Sequence, residues 1–411
     1  MRANEEVIAR IAEARPWLVD LAPGADLALA WDSDVLLHAG PPLRPGALRC
    51  ASLQGAIAGA LMLDDPAFGV DEAMARASAP TLPLRPAHDF NAVATFGGVM
   101  APSTPVFDVV NRTTGTRSFA AINEGRGAAL RYGANDAATL DRARWLHGEF
   151  QQVLGSAIRR MGGIDLFAIL EQALQMGDDG HSRQKAASAL FLSEIAPAVC
   201  QAADSTTQAA AVLKFIATND FFFLPLAMAA AKSVMSSAHG VPGASIVTAI
   251  AFNGVDCGIR VSGLAGWVTA PVPNLEGHYF KGFSAQDAGP VIGDSEVVEA
   301  LGLGALALGA APVLSQYLRG DPAYGSALTE EMYLITVAEH TRFRIPLPEW
   351  RGAPLGIDVH KILATGIAPA FNSGIAHVRA GIGQIGAGHG RVPMACFVDA
   401  AEQLARLGDE R

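Results

Sequence analysis

The stretch ASIVTAIAFNGVDCGIRVSGLAGWVTAPV (244–272) decides the fold class. It reads as three short strands, 244–254, 257–263 and 266–272, rich in Ile, Val and Thr and joined by glycine turns, which is the pattern of a meander. The residues before it have another character. From Asp136 to Ser237 the helix formers Ala, Leu, Gln, Met and Glu dominate, and ATLDRARWLHGEFQQVLGSAIRRM, GIDLFAILEQALQM, KAASALFLSEIAPAV and TQAAAVLKFIA each keep the 3.6-residue apolar period. The run Phe221-Phe222-Phe223 and the following Leu-Pro-Leu are too apolar to face water.

The first third mixes strand and helix. Residues 4–14 predict a helix with Asn4 as N-cap, LALAW (27–31) and DVLLHAG (34–40) predict strands, 49–63 a small-residue helix, and PVFDVVN (105–111) another strand. After the meander come a loop-rich stretch (273–295), a small-residue helix (296–316), a helix at 327–339, a glycine-rich segment (352–394) and a terminal helix (394–407). Together these predict an α/β (α+β) protein in three parts: an N-terminal α/β domain over 1–135, a helical domain over 136–237, and a C-terminal α/β domain with glycine-rich loops over 238–411.

Length and composition agree. A chain of 411 residues and 42.7 kDa exceeds one small core. Half of it is hydrophobic and only 17% charged, which excludes a disordered or fibrous chain. The longest uncharged apolar stretch, Leu301 to Leu314, is broken by glycines and a proline, short of the roughly 18 residues of a membrane span. A net charge of −10 without a basic run argues against nucleic-acid binding. Four scattered cysteines without a CxxC pair read as buried free thiols, and the N-terminus reads as an amphipathic helix rather than a signal peptide. Both point to the cytoplasm.

Several catalytic signatures are missing: there is no P-loop, HExxH, GxSxG or cysteine cluster of the zinc type, so no metal or cofactor is expected. The GxGxxG at 381–386 lacks a strand–turn–helix frame and reads as a glycine loop for close packing. Polar clusters remain in helix-breaking settings: His88-Asp89, Asn123-Glu124-Gly125-Arg126, Asp178 to Arg183, Asn219-Asp220, Asn253 to Arg260, and Asn372 to Arg391. Each has a plainer reading. His181 and Arg183 suit a helix C-terminus, Asn219-Asp220 an N-cap, Asn253-Gly254 a hairpin turn, and His377 a satisfied buried histidine. Arg260, between Ile259 and Val261 on a strand, needs solvent, an ion partner or an anion. Arginines beside free backbone amides suit a small carboxylate or phosphate.

Seven segments resemble one bacterial family in order and spacing: LLHAGPP (36–42), NEGRGAALRYGA (123–134), GIDLFAILEQALQMGDDGHSR (163–183), ATNDFFFLPLAMAA (217–230), NGVDCGIRVSG (253–263), GDSEVVEALGLGALALGAAP (293–312) and GIAHVRAGIGQIGAG (374–388). It is the family that includes a large subunit of oxamate carbamoyltransferase, from anaerobic allantoin breakdown, many of whose members are domains of unknown function. The resemblance covers nearly the whole chain and implies two α/β domains of unusual topology plus a helical domain. It implies two partners, an acyl-CoA-synthetase-like subunit and a further small subunit, and an oligomer is expected. The implied reaction moves a carbamoyl group between oxalurate and phosphate, giving oxamate and carbamoyl phosphate. The chain lacks the Ser-x-Arg-Thr-Arg loop and His-Pro-x-Gln segment of aspartate and ornithine carbamoyltransferases, so any such chemistry uses other residues.

Phosphate attack on a carbamoyl carbon needs cations on the phosphate, donors on the oxyanion and a proton for the leaving nitrogen. The expected anion clamps are Arg183 and Arg260, with backbone amides from the glycine loop around Gly383 and Gly386. His181 or His377 is the expected proton donor. Asn253, Asn372 and Gln384 are expected to orient the amide, with His88, Asn123 and Glu124 also at the substrate. The rival functions are a non-catalytic subunit that scaffolds or gates its partner, and a cyclic-amide hydrolase.

Overall fold

The computed structural model describes residues 2–27, 34–346 and 349–409, so the strand expected over 27–31 falls, from residue 28 on, outside the described residues. The architecture is α/β in class, with helices on several small sheets. The meander forms. Val247–Asn253, Asp256–Val261 and Trp267–Pro271 pair antiparallel, Gly254 turns the first hairpin at φ +85°, and Ile292–Gly293 adds a fourth strand. Every residue of Val247–Asn253 is buried, so this strand is covered on both faces.

A second sheet runs in the order Ala92–Val93, Arg117–Ala121, Pro105–Asn111, Pro16–Pro23, Ile164–Asp165. The helix Leu224–Ser237 packs against it and is buried almost all round, as its alanine-rich sequence requires. Phe222 fixes the surrounding helices to this sheet. Its ring lies 6.0 Å from Phe107 on the sheet, 6.2 Å from Phe150, 5.5 Å from Phe191 and 6.3 Å from Phe215 on three helical segments. One continuous apolar core therefore joins the sheet, the helices between 137 and 237, and the segments 297–303 and 343–355. A second core lies beneath the meander and the terminal helix Met394–Asp409.

The structure departs from the sequence reading where glycine or a β-branched pair decides. The helix expected over 296–316 is broken into Val297–Ala300, the 3-10 turn Gly304–Ala310 and Pro312–Arg319, because Gly302 and Gly304 take φ +98° and +60°. The helix expected over 327–339 is Tyr324–Tyr333. Thr336-Val337 instead open the strand Thr336–Arg344, paired with Gly352–Ile357. Asn4 lies inside the helix Arg2–Ala12 rather than capping it, and its side chain ties Ser245 to Asp358. Cys257 and Cys396 are buried free thiols, but Cys50 is half-buried and Cys200 exposed. Among the described residues no helix is long and apolar enough to cross a membrane.

The glycine-rich segment 352–394 holds three strands, Gly352–Ile357, Ala370–Ala376 and Gln384–Arg391, and the helix Val359–Thr365. Gln384–Arg391 is the middle strand between Glu276–Tyr279 and Ala370–Ala376. Its glycines permit close pairing: a Cβ on Gly388 would lie 2.6 Å from the Glu276 carbonyl oxygen, and one on Gly386 would overlap that of His278.

Candidate functional site

A cavity of about 410 Å³ opens where the three expected parts of the chain meet. Turns and element ends build it. Thr95 and Phe96 follow the edge strand Ala92–Val93, with Phe96 held at φ +49°, a strained conformation for a bulky residue. The loop Asn123 to Gly127 bends at Gly125 and Gly127, both at positive φ. Arg131 and Tyr132 come from a short 3-10 turn. His181 and Ser182 precede the helix Lys185–Ala202, and Gln384 begins the glycine-rich strand.

Arg131 is the buried cation of this wall. It donates to Glu124 Oε2 at 2.5 Å and to the Gly125 carbonyl at 2.6 Å, lies 4.6 Å over the Tyr132 ring, and keeps its Nε without a partner among the described residues. Burial works against its charge, but Tyr132 and Glu124 outweigh burial and raise its pKa. Arg126, largely exposed, pairs with Asp220 at 2.5 Å. Tyr132 donates to Gln384 Oε1 at 3.5 Å, and Gln384 donates to the Gly386 carbonyl at 2.9 Å.

His181 is the histidine of the cavity lining. Its Nδ1 lies 2.8 Å from Glu299 Oε1, while Nε2 has no hydrogen-bond partner among the described residues. Burial disfavours the imidazolium, but Glu299, with help from Glu296 and Asp179, overrides it and holds the pKa at about 9. Burial lifts the neighbouring Glu296 carboxyl to about 8, against the pull of His181. Asn372 donates from its side chain to Asp179 Oδ2 and from its backbone to Glu299 Oε1, both at 3.3 Å. A buried imidazolium is thus braced by carboxylates at the cavity wall.

Of the expected site residues, the cavity lining brings together His181, Asn123 and Gln384, with Glu124 and Asn372 just behind it. His181 does not cap the helix Leu166–Gln175; it lies beyond the left-handed Gly177 and pairs across the fold. Arg183 lies outside the lining, held by Asp178 at 3.1 Å. Asp178 in turn accepts from the Ala187 N–H at the start of the next helix. Asn219 is not an N-cap of the next helix. It ends the helix Thr206–Thr218 and donates to the Asn123 carbonyl at 3.1 Å, which positions the cavity loop.

Other expected site residues are occupied elsewhere. Asn253 is structural: its side chain donates to the Pro41 carbonyl at 3.0 Å and accepts from Val255 and Asp256 N–H groups in the hairpin. His377 is a buried histidine whose Nδ1 accepts from the Arg379 N–H at 2.9 Å, outside the lining. Gly383, at φ +101°, allows close approach to Gly127, and Gly386 sits inside the sheet, so neither is part of a free amide loop. Arg260 and His88 share a different polar centre with Asp294 and Lys232. No group of three or more His, Cys, Asp or Glu among the described residues is arranged to hold a metal ion.

Sequence reasoning passed over Arg131, Tyr132, Phe96, Ser295 and Lys232. Arg131 carried a signal, since ALRYGA places an arginine between apolar residues just before a glycine, and Lys232 carried one as the lone charge in LPLAMAAAKSVM. Phe96 and Ser295 carried none.

Comparison with known proteins places the chain. The family model described as "Oxamate carbamoyltransferase subunit AllG" matches residues 82–295. The chain is 40% identical over 408 residues to the oxamate carbamoyltransferase subunit AllG of Escherichia coli K12, covering 98% of this chain and 97% of that one. It is 35% identical over 399 residues to the uncharacterized protein YahG of the same organism, covering 97% and 84%. A crystal structure of a conserved protein of unknown function from Enterococcus faecalis V583 superposes with a TM-score of 0.96 at 36% identity, covering 99% of this chain and 97% of that one. Near-full-length identity at this level, with the same fold, shows that the chain belongs to the family of the oxamate carbamoyltransferase subunit AllG.

Proposed function

We propose that the chain is a subunit of a cytoplasmic carbamoyltransferase acting on oxalurate or a related ureido acid. In this reading phosphate attacks the carbamoyl carbon, the C–N bond to oxamate breaks, and carbamoyl phosphate leaves with the new P–O–C bond. The oxamate nitrogen takes a proton. His181 donates that proton from Nε2 while Glu299 fixes the ring through Nδ1. Arg131 and Arg126 hold the anionic groups, and Asn123 and Gln384 orient the amide. The observation that carries the reading is the His181–Glu299 pair set into the wall of a cavity that also presents Arg131. An acyl-CoA-synthetase-like subunit and a further small subunit complete the assembly, the chain itself forming oligomers.

The test is phosphate-dependent oxalurate breakdown by the chain reconstituted with both partners. His181→Ala is expected to slow it by about 10²–10⁴-fold, the usual contribution of a general acid. A rate within a few-fold of the parent chain removes His181 from the chemistry.

A second reading rests on the ion pairs themselves. Both cavity guanidiniums are already matched, Arg126 by Asp220 and Arg131 by Glu124, which suits a subunit that scaffolds or gates its partner. It expects full carbamoyl transfer by the assembly with His181→Ala, and loss of activity only when this chain is left out.

A further inference from the structure

Lys232 lies in the helix Leu224–Ser237 among alanine, methionine, serine and valine, and only 3% of it is exposed. It makes no hydrogen bond or ion pair among the described residues. Arg260, Asp294 and Asp89 are the charges within its electrostatic reach, and His88 and His239 feel the same field. Burial, aided by Arg260, lowers its pKa to about 7 against Asp294 and Asp89.

The neighbours are as short of partners as the lysine. Neither ring nitrogen of His88, both buried, makes a hydrogen bond of good geometry, and Nε2 stands at a loose ion-pair distance, 3.5 Å, from Asp294 Oδ1. Arg260 keeps a buried Nε without a partner, although its Nη2 donates to His239 Nε2 at 3.2 Å and to the Ala265 carbonyl at 3.4 Å. The nearby carboxylates are largely committed to other donors. Asp294 accepts from the Gly40 N–H at 2.5 Å and the Ala94 N–H at 3.0 Å, and Asp89 accepts from Trp267 Nε1 at 3.2 Å.

Each buried donor left unmade costs about 1–3 kcal/mol, more when charged, and native proteins leave few of them. Here His88 and Arg260 both lie against Trp267, at 5.3 Å and 5.8 Å, and the Lys232 ammonium on the neighbouring helix is within electrostatic reach of both. All three supply hydrogens, so what is absent is a compact acceptor, and two of the three favour one with negative charge.

We propose that Lys232, Arg260 and His88 form a second ligand site that binds a small inorganic oxyanion of the phosphate or bicarbonate class. The site stands on the other side of the cavity wall: Ala94 and Asp294 belong to it, while their neighbours Thr95 and Ser295 line the cavity. An anion here braces that wall. The inference does not depend on the proposed reaction, because the orphaned donors are present whichever chemistry the cavity performs.

The test uses crystals of the full chain soaked in selenate, a tetrahedral oxyanion with an anomalous signal. The expected result is a selenium peak within hydrogen-bond reach of Lys232 Nζ and Arg260 Nε that disappears in Lys232→Met and in Arg260→Gln. Lys232→Met keeps the volume and removes an unpaired buried charge, so the variant is expected to fold. Titrations of the unfolding midpoint with phosphate and, separately, bicarbonate identify the anion: one of them raises the midpoint of the parent chain and leaves that of Lys232→Met unmoved. Only a water at the site, a peak that persists in Lys232→Met, or equal midpoint shifts in both proteins overturns the proposal.

Discussion

His181 Nδ1 stands 2.8 Å from Glu299 Oε1, both side chains buried, although 118 residues separate them in sequence. The histidine arrives on a loop just before the helix Lys185–Ala202, the glutamate on the one-turn helix Val297–Ala300. The same carboxylate oxygen accepts from the Ala305 N–H at 3.1 Å, possible because the chain doubles back at Gly304. The pair ties the middle of the chain to its C-terminal part at the cavity wall.

With Glu299→Gln the carboxylate's attraction is lost and burial dominates, so the His181 pKa is expected to fall from about 9 to below its ordinary value of 6.5. An NMR titration of the imidazole measures it. The linkage has one sign: because the folded-state value lies above the unfolded one, the stabilisation is complete below about pH 6.5 and lost as pH rises through about 9. The stability advantage of the parent chain over His181→Asn is therefore expected to shrink by on the order of 3 kcal/mol across that window, read by denaturant unfolding at each pH.

Gly304→Ala is expected to be far costlier than Gly320→Ala. Both glycines are left-handed, at φ +60° and +70°, which by itself costs an alanine about 1–2 kcal/mol. At Gly320 the added methyl meets nothing within 4 Å, whereas at Gly304 it runs into the Glu299 carboxylate. Unfolding of both variants, with the His181 titration repeated on Gly304→Ala, checks that the damage is relayed through Glu299.

Arg131→Gln leaves the largely covered Glu124 carboxylate without its cation, for an expected loss of about 2–3 kcal/mol, below the range for a fully buried pair. Arg131→Gln combined with Glu124→Gln is expected to be more stable than the single change, since it removes both charges. Equal stabilities in denaturant melts contradict a tight, coupled pair.

Phe222→Ala removes the ring that touches one sheet and three helical segments and is expected to cost about 3–5 kcal/mol. Phe221→Ala, on a half-buried ring at the cavity lining, is expected to cost less and to widen the cavity instead. Calorimetric unfolding of the two variants separates the roles.

Local chemistry was legible wherever one periodicity ruled. The meander, the strand Pro105–Asn111 and the helices between 137 and 237 follow directly from apolar spacing and glycine turns. Reading weakened where small residues are ambiguous. The alanine- and glycine-rich stretch 296–316 looks helical by propensity, yet two left-handed glycines break it to deliver Glu299. The glycines at 386 and 388 look like a loop but are the cost-free way to bring three strands together.

The polar residues divide along another line. Sequence alone marked His181, Asn123, Glu124 and Gln384 as polar islands among helix breakers, and determined the class of fold and the family. Tertiary structure alone decided which islands share a cavity: it set Arg131 opposite Glu124, gave Asn253 to a hairpin, and drew Arg260 and His88 to Lys232. The reason is range. Propensity and periodicity act over a few residues, whereas the charge of a buried side chain is settled by whatever partner the packed core brings against it from far along the chain.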